Sequence, residues 1–153
     1  MLALLGELVN IDSNSFDKAG VDRVADRLAE FFDEQSIPHE TIPIASHGDA
    51  MRAVVAGGNG NRPILLCGHR DTVFPTGEVE KRPFEIRNGK AYGPGVADMK
   101  PGLVINAFIL AAFNKFGGHP NPLVGLFTGD EEIGSPTSQD VIIAEAKKAR
   151  LAF

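Results

Sequence analysis

Pro63-Ile64-Leu65-Leu66-Cys67-Gly68-His69-Arg70-Asp71-Thr72 changes character at Gly68. Its first half is a short continuous apolar run, which suits a strand buried on both faces. Its second half is crowded with groups that bind metal ions or protons. The pattern recurs later in the chain: Pro122 to Thr128 is a second buried strand, followed by Gly129-Asp130-Glu131-Glu132-Ile133-Gly134. In open sheets covered by helices, ligands collect outside the carboxyl ends of such strands, so the residues after Cys67 and after Phe127 are the places to look for chemistry.

The segments around these two strands fit that architecture. Met1 to Glu7 reads as the start of a helix. Val21, Val24, Ala25, Leu28, Phe31 and Phe32 recur at three- and four-residue steps, which predicts an amphipathic helix from Val21 to Phe32, ended by Ile37-Pro38. Short strands are predicted at Glu40 to Ile44 and Arg52 to Ala56, and a turn at Gly57-Gly58-Asn59-Gly60-Asn61. Phe84 to Arg87 and Lys90 to Tyr92 flank Asn88-Gly89 as a hairpin. Leu103 to Phe116 is a buried helix whose first turn holds Pro101 and whose end is set by Gly117-Gly118. A helix from Ser138 to Ala149 and the start of a strand at Leu151-Ala152-Phe153 complete the series. The expected fold class is therefore α/β, a three-layer arrangement of one sheet with helices on both faces.

Composition narrows the function classes. A chain of 153 residues with 43% hydrophobic and 23% charged residues can bury a core as one ordinary domain, so disorder is not expected. A net charge of -5 without a basic stripe argues against nucleic acid as a partner. The single cysteine, Cys67, excludes an intrachain disulfide, and its apolar neighbours suggest a packed thiol. No apolar run approaches the ~20 residues that span a bilayer, so no membrane partner is expected. A cytoplasmic location is the default reading, with loss of a leader from a longer precursor left open.

Three loops carry the candidate chemistry. His69 and Asp71 are two apart, so in an extended segment they leave the backbone on the same side, and the carboxylate can orient the imidazole. Gly93-Pro94-Gly95-Val96-Ala97-Asp98-Met99-Lys100 places another carboxylate in a glycine-lined turn. Adjacent Glu131 and Glu132 diverge if they sit on an extended strand end, so one can bind a metal while the other faces a water. Each piece alone is more often a surface hydrogen bond or a solvated loop. Together, His69, Asp98 and Glu132 would concentrate negative charge that a fold tolerates poorly unless a divalent cation neutralises it. Asp130 is expected to brace the Glu131-Glu132 loop. His39, His47 and His119 are expected at the surface, and Lys100 is expected in solvent.

Gly68-His69-Arg70-Asp71-Thr72-Val73-Phe74-Pro75, Tyr92-Gly93-Pro94-Gly95-Val96-Ala97-Asp98-Met99-Lys100 and Thr128-Gly129-Asp130-Glu131-Glu132-Ile133-Gly134-Ser135, in this order, resemble the zinc-dependent exopeptidase and aminoacylase family. That family includes bacterial carboxypeptidase G, acetylornithine deacetylase and succinyl-diaminopimelate desuccinylase. The Thr72-Val73-Phe74-Pro75 extension is most similar to the glutamate carboxypeptidase branch. The resemblance implies that His69 binds one metal, Asp98 bridges two, Glu132 binds the other, Glu131 is the general base and Asp71 orients His69. It also implies a cis peptide bond between Asp98 and Met99. The cofactors would be two divalent ions, zinc first, with cobalt or manganese as alternatives. The substrate would be a small peptide or N-acyl amino acid.

Pro101 and Gln139 depart from the usual family pattern, though neither removes a ligand. The resemblance further implies that residues 1–153 are the N-terminal portion of a metallopeptidase catalytic domain. The family's lid and dimerisation domain, through which the full-length enzyme would form a homodimer, and its C-terminal catalytic segment have no counterpart here. Val124 to Phe127 is accordingly expected at a sheet edge or poorly covered. A non-catalytic remnant or interaction module that keeps the fold is the competing reading.

Overall fold

The computed structural model describes residues 1–58 and 60–153. It begins with two helices, α1 (Leu2–Val9) and α2 (Lys18–Glu34). Asp17 caps α2 by accepting a hydrogen bond from the Gly20 amide at 3.0 Å, which starts the helix three residues before its apolar stripe. Strands β1 (His39–Ile42), β2 (Ala50–Val55) and β3 (Ile64–His69) follow. Next come a short helix α3 (Glu78–Lys81), the hairpin β4 (Glu85–Arg87) and β5 (Lys90–Tyr92), and helix α4 (Lys100–Lys115). Strand β6 (Leu123–Thr128), a 3-10 turn (Glu131–Ile133), helix α5 (Gln139–Lys148) and strand β7 (Leu151–Ala152) complete the chain.

The main sheet has the order β1-β2-β6-β3-β7. β1 with β2 and β2 with β6 are antiparallel, whereas β6 with β3 and β3 with β7 are parallel. Alternation along the strands divides the interior in two. Met51, Ala53, Val55, Leu66, Leu123 and Phe127 face the large core under α1, α2 and α4, where Phe32 stacks on Phe127 with ring centroids 6.0 Å apart. Val54, Leu65, Cys67, Val124 and Leu126 face the smaller core under α5, with Val141, Ile142 and Ala149. Gly125 lies on the large-core side, where a Cβ would come within 2.9 Å of both Phe127 and Leu110, so its absence lets α4 settle against the sheet.

The expected three-layer α/β architecture is what forms, and the buried strands, the hairpin and the long helices lie where hydrophobic patterning puts them. Three features differ. Helix α3 was not anticipated, because four residues are too short to show a period. β3 runs on through His69 rather than stopping at Cys67. Val124 to Phe127 is not an edge: β6 is paired on both sides, every residue in it is buried, and the sheet edges are β1 and β7. Of the turn predicted at residues 57–61, Asn59 lies outside the described residues, while the Gly58 amide and the Asn61 side chain both donate to the Pro120 carbonyl.

α5 is held to the second face by charge as well as by apolar contact. Glu145 is buried and takes Arg52 Nε at 3.2 Å and Lys148 Nζ at 2.5 Å, while Arg52 also reaches Glu40 on β1 at 3.1 Å. Burial alone would raise the Glu145 carboxyl, but the bonds and charges of Lys148 and Arg52 outweigh it and hold the group below its ordinary range. A depressed carboxyl stabilises the fold above its unfolded pKa and stops doing so as pH falls through the folded value. Glu145→Gln should therefore lower the unfolding free energy by about 1 kcal/mol near pH 7, with the deficit closing below about pH 4. Urea titrations between pH 3 and pH 7 check this, and a deficit that stays constant would remove the charge pair from the account.

Candidate functional site

The parallel pairing of β3 and β6 sets His69 opposite Thr128, so the two strands end side by side and their following loops share one mouth. Backbone bonds extend the alignment, with the Arg70 amide donating to the Thr128 carbonyl at 2.9 Å. Asp71 lies between the loops and is fully buried. Its Oδ1 accepts from the Glu131 amide at 3.2 Å and lies 3.3 Å from His69 Nδ1. Its Oδ2 accepts from the Glu132 amide at 3.1 Å and from Ser15 Oγ at 2.7 Å. One carboxylate thus fixes the imidazole and the first turn of the acidic loop together.

The third contributor arrives from the turn before α4. Asp98 Oδ1 stands 3.1 Å from His69 Nε2, and the peptide bond between Asp98 and Met99 is cis. Met99 folds back so that its sulfur accepts the His69 amide at 3.2 Å, beside Gly68, where a Cβ would come within 3.2 Å of the Met99 side chain. His69, Asp98 and Glu132 each present a donor atom, and these atoms lie within 4.8 Å of one another. Glu131 leaves the same turn with its carboxylate exposed, Oε2 3.5 Å from His69 Nε2.

Glu131 and Glu132 diverge because they occupy a 3-10 turn, not the extended strand end expected from sequence. Successive side chains on a 3-10 turn point roughly 120° apart, which separates an exposed acid from a half-buried one. Asp130 braces that turn from below. Its buried carboxylate accepts from the Thr137 amide and hydroxyl, each at 2.7 Å, from the Ser138 amide at 3.1 Å and from the Ser138 hydroxyl. At Gly129 a side chain would meet Val21 and the backbone of Gly48, so the acidic loop can pack directly on the β1–β2 connection.

The electrostatics call for a cation. Four carboxylates, Asp71, Asp98, Glu131 and Glu132, crowd one imidazole. Burial pulls His69 toward neutrality, but the hydrogen bond and charge of Asp71, with Glu131, push its pKa up to about 9. Burial also raises the Glu132 carboxyl, and Asp98, Asp71 and Glu131 add to that rise against the pull of His69. A divalent ion among the three donor atoms would relieve this excess of negative charge, and a set of one nitrogen and two carboxylate oxygens suits zinc, cobalt or manganese. The residues present therefore fit a metal.

Two hollows flank the cluster. One, of about 250 Å³, lies on the α5 side and is lined mainly by Cys67, Met99, Leu126, Ile142 and Phe153, with His69 and Glu131 at its rim. Burial there pushes the Cys67 thiol up, as expected of a packed thiol. The other, of about 290 Å³, lies beside Asp98 and Glu132, with Val73, Phe74, Val96 and Ala97 for walls.

Sequence reasoning missed three participants and misplaced a fourth. Ser15 comes from a distant loop and carried no local signal. Met99 reads as an ordinary apolar residue. Arg70 is fully buried and bonds the carbonyls of Val21 and Asp49; the alternation that pairs His69 with Asp71 also turns Arg70 to the α2 side, and applying it would have found the residue. Lys100 is not solvated: it is buried, its Nζ donates to the Ile11 carbonyl at 2.7 Å, and burial lowers its pKa to about 8. His39, His47 and His119 are half-buried and stand outside the three-residue cluster.

With the geometry described, known proteins supply context. Residues 65–153 match the model of peptidase family M20/M25/M40. The chain is 33% identical over 154 residues to carboxypeptidase G2 from Pseudomonas sp. (strain RS-16), covering 97% of this chain and 36% of that protein. It is 35% identical over 158 residues to succinyl-diaminopimelate desuccinylase from Janthinobacterium sp. (strain Marseille), covering 97% and 39%. It therefore spans little more than a third of the length of these curated relatives. Among solved structures, human carnosine dipeptidase 1 superposes with a TM-score of 0.81 at 16% identity, over 99% of this chain and 37% of that one. An M20 family metallo-carboxypeptidase from Sulfolobus solfataricus superposes with a TM-score of 0.80 at 24% identity, over 98% and 35%. At these identities the likeness speaks for the fold.

Replacing the brace tests how firmly the acidic loop is held. Asp130→Ala strands several buried donors and should cost about 3 kcal/mol of stability, with faster amide exchange at Thr137 and Ser138. Denaturant unfolding and hydrogen exchange read both, and a loss below about 1 kcal/mol would mean that the brace is dispensable.

Proposed function

The chain belongs to peptidase family M20/M25/M40, and on that premise we propose that it is the N-terminal portion of the catalytic domain of a two-metal amide hydrolase. The enzyme is of glutamate carboxypeptidase type, releasing a C-terminal amino acid from an N-acyl or peptidyl substrate. The observation that carries this reading is the approach of one imidazole nitrogen and two carboxylate oxygens, from three separate segments, to within 4.8 Å. A remnant that had lost its chemistry would have no reason to keep such a costly gathering of charge in register.

In this reading His69, Asp98 and Glu132 would hold the metal ions. Bound there, divalent ions would polarise a substrate carbonyl and make a water more acidic, and zinc is the leading candidate. The protein groups do the rest. Asp71 holds His69 so that Nε2 faces the site. Glu131, exposed and within 3.5 Å of that nitrogen, takes a proton from water and delivers it to the leaving amide nitrogen. The apolar walls beside Asp98 and Glu132 would receive the uncharged part of the substrate. A lid and dimerisation domain and a C-terminal segment with further ligands would complete the enzyme as a homodimer. Among the described residues no helix is long and apolar enough to cross a membrane, and a cytoplasmic setting is part of the proposal.

Zinc titration of the chain and its variants tests the division of roles. Glu132→Ala should weaken binding by about tenfold or more, whereas Glu131→Gln should leave it near wild type. In an intact enzyme containing these residues, Glu131→Gln should keep its metal and lose nearly all turnover of an acyl-glutamate substrate. Equal metal loss in the two variants would contradict the assignment. The 153-residue chain with added zinc should show no turnover, because three donors shared by two metals leave the site incomplete.

A further inference from the structure

The family match begins at residue 65, yet a loop far upstream of it touches two of the three donor segments. The loop joins α1 to α2. We propose that this loop is a positioning element for the metal site, acting through Ser15 on Asp71 and through the Ile11 carbonyl on Lys100. The proposal rests on the metal-site reading above and adds to it residues that the three motifs do not contain.

Ser15 is the critical contact. Its hydroxyl donates to Asp71 Oδ2 at 2.7 Å, both residues being buried. Asp71 in turn receives the amides of Glu131 and Glu132 and lies 3.3 Å from His69 Nδ1. A carboxylate with so many donors around it has one well-defined orientation, and the Ser15 bond is the shortest of them. Removing that bond frees Asp71 to tilt, and each group that it holds would tilt with it.

The rest of the loop keeps Ser15 in place and reaches the other donor segment. The Thr72 amide donates to the Ser13 carbonyl at 2.8 Å, and Asn14 Nδ2 donates to the Phe74 carbonyl at 3.1 Å. The Asp12 carboxylate accepts the amides of Gly77 at 2.7 Å and Val79 at 3.1 Å. On the opposite side, Lys100, two residues after Asp98, crosses the interior to the Ile11 carbonyl. The loop thereby fixes the distance between the His69–Asp71 strand end and the Asp98 turn. Neighbouring Ser13 is equally buried, but among the described residues its hydroxyl meets no partner, which makes it an internal control.

Calorimetric Zn2+ titration and visible absorption of the Co2+-loaded chain test the proposal. Ser15→Ala should weaken Zn2+ binding by about tenfold and shift the Co2+ bands, because outer hydrogen bonds orient ligands. Ser13→Ala should do neither. Where Ser15→Ala does not fold, Ser15→Thr and Ser15→Val replace it, being alike in shape and differing in the hydroxyl; Thr should bind about tenfold more tightly than Val. Wild-type affinity in Ser15→Ala, an equal loss in Ser13→Ala, or equal affinities for the Thr and Val variants would each overturn the role of the loop. A wild-type chain that binds no Zn2+ would instead remove the metal-site reading, and the inference with it.

Discussion

A single carboxylate without access to solvent, that of Asp71, decides whether the candidate site exists. It accepts the consecutive amides of Glu131 and Glu132 and the Ser15 hydroxyl and adjoins the His69 imidazole, so its partners come from three separate segments. Burying an ionised carboxylate is expensive unless its oxygens are fully satisfied. The fold meets that condition only when β3, the acidic loop and the α1–α2 loop are all in place. Burial tends to raise the Asp71 carboxyl, and the bonds to His69, Ser15 and Glu132 bring it below its ordinary range, so it remains a charge and not a neutral acid. A missing donor leaves a desolvation cost that the remaining contacts offset only in part.

Two buried cations on either side of this carboxylate extend the same logic. Arg70 lies under α2 with Asp22 and Asp49 nearby, and burial draws its pKa down to about 10 against their charge. Lys100 lies under α1, its ammonium paired with a carbonyl and influenced by Asp12. Neither forms a direct salt bridge with the site. Both instead bond main-chain oxygens of the elements that surround it, so each cation fastens backbone directly.

The parts of this molecule that could be read from sequence are those whose signal is periodic or contiguous. The stripe of α2, the apolar runs of β3 and β6, and the Pro101 start and Gly117-Gly118 stop of α4 all depend on residues within a few positions of one another. The clustering of His69, Asp98 and Glu132 is legible for a related reason: they sit at or just beyond the ends of such elements, where the chain must turn outward. What escaped was non-local. Ser15 becomes meaningful only when folding brings it 56 positions along the chain to Asp71, and Lys100 only when it meets Ile11, 89 positions away. β6 could be recognised as buried but not as central, because the order of strands depends on pairings that no single segment specifies.

Those same separations bear on when the site can form. The strap from Ile11 to Asp17 is made before its partners at Asp71, Gly77 and Lys100, and Glu131 and Glu132 follow later still. Contacts that close such long loops carry a large entropic toll before any reward and slow the search for the native state. Until those later segments arrive, the polar groups of Ile11 to Asp17 that they bind lack these partners, and the candidate site takes shape only once Glu131 and Glu132 have joined Asp71.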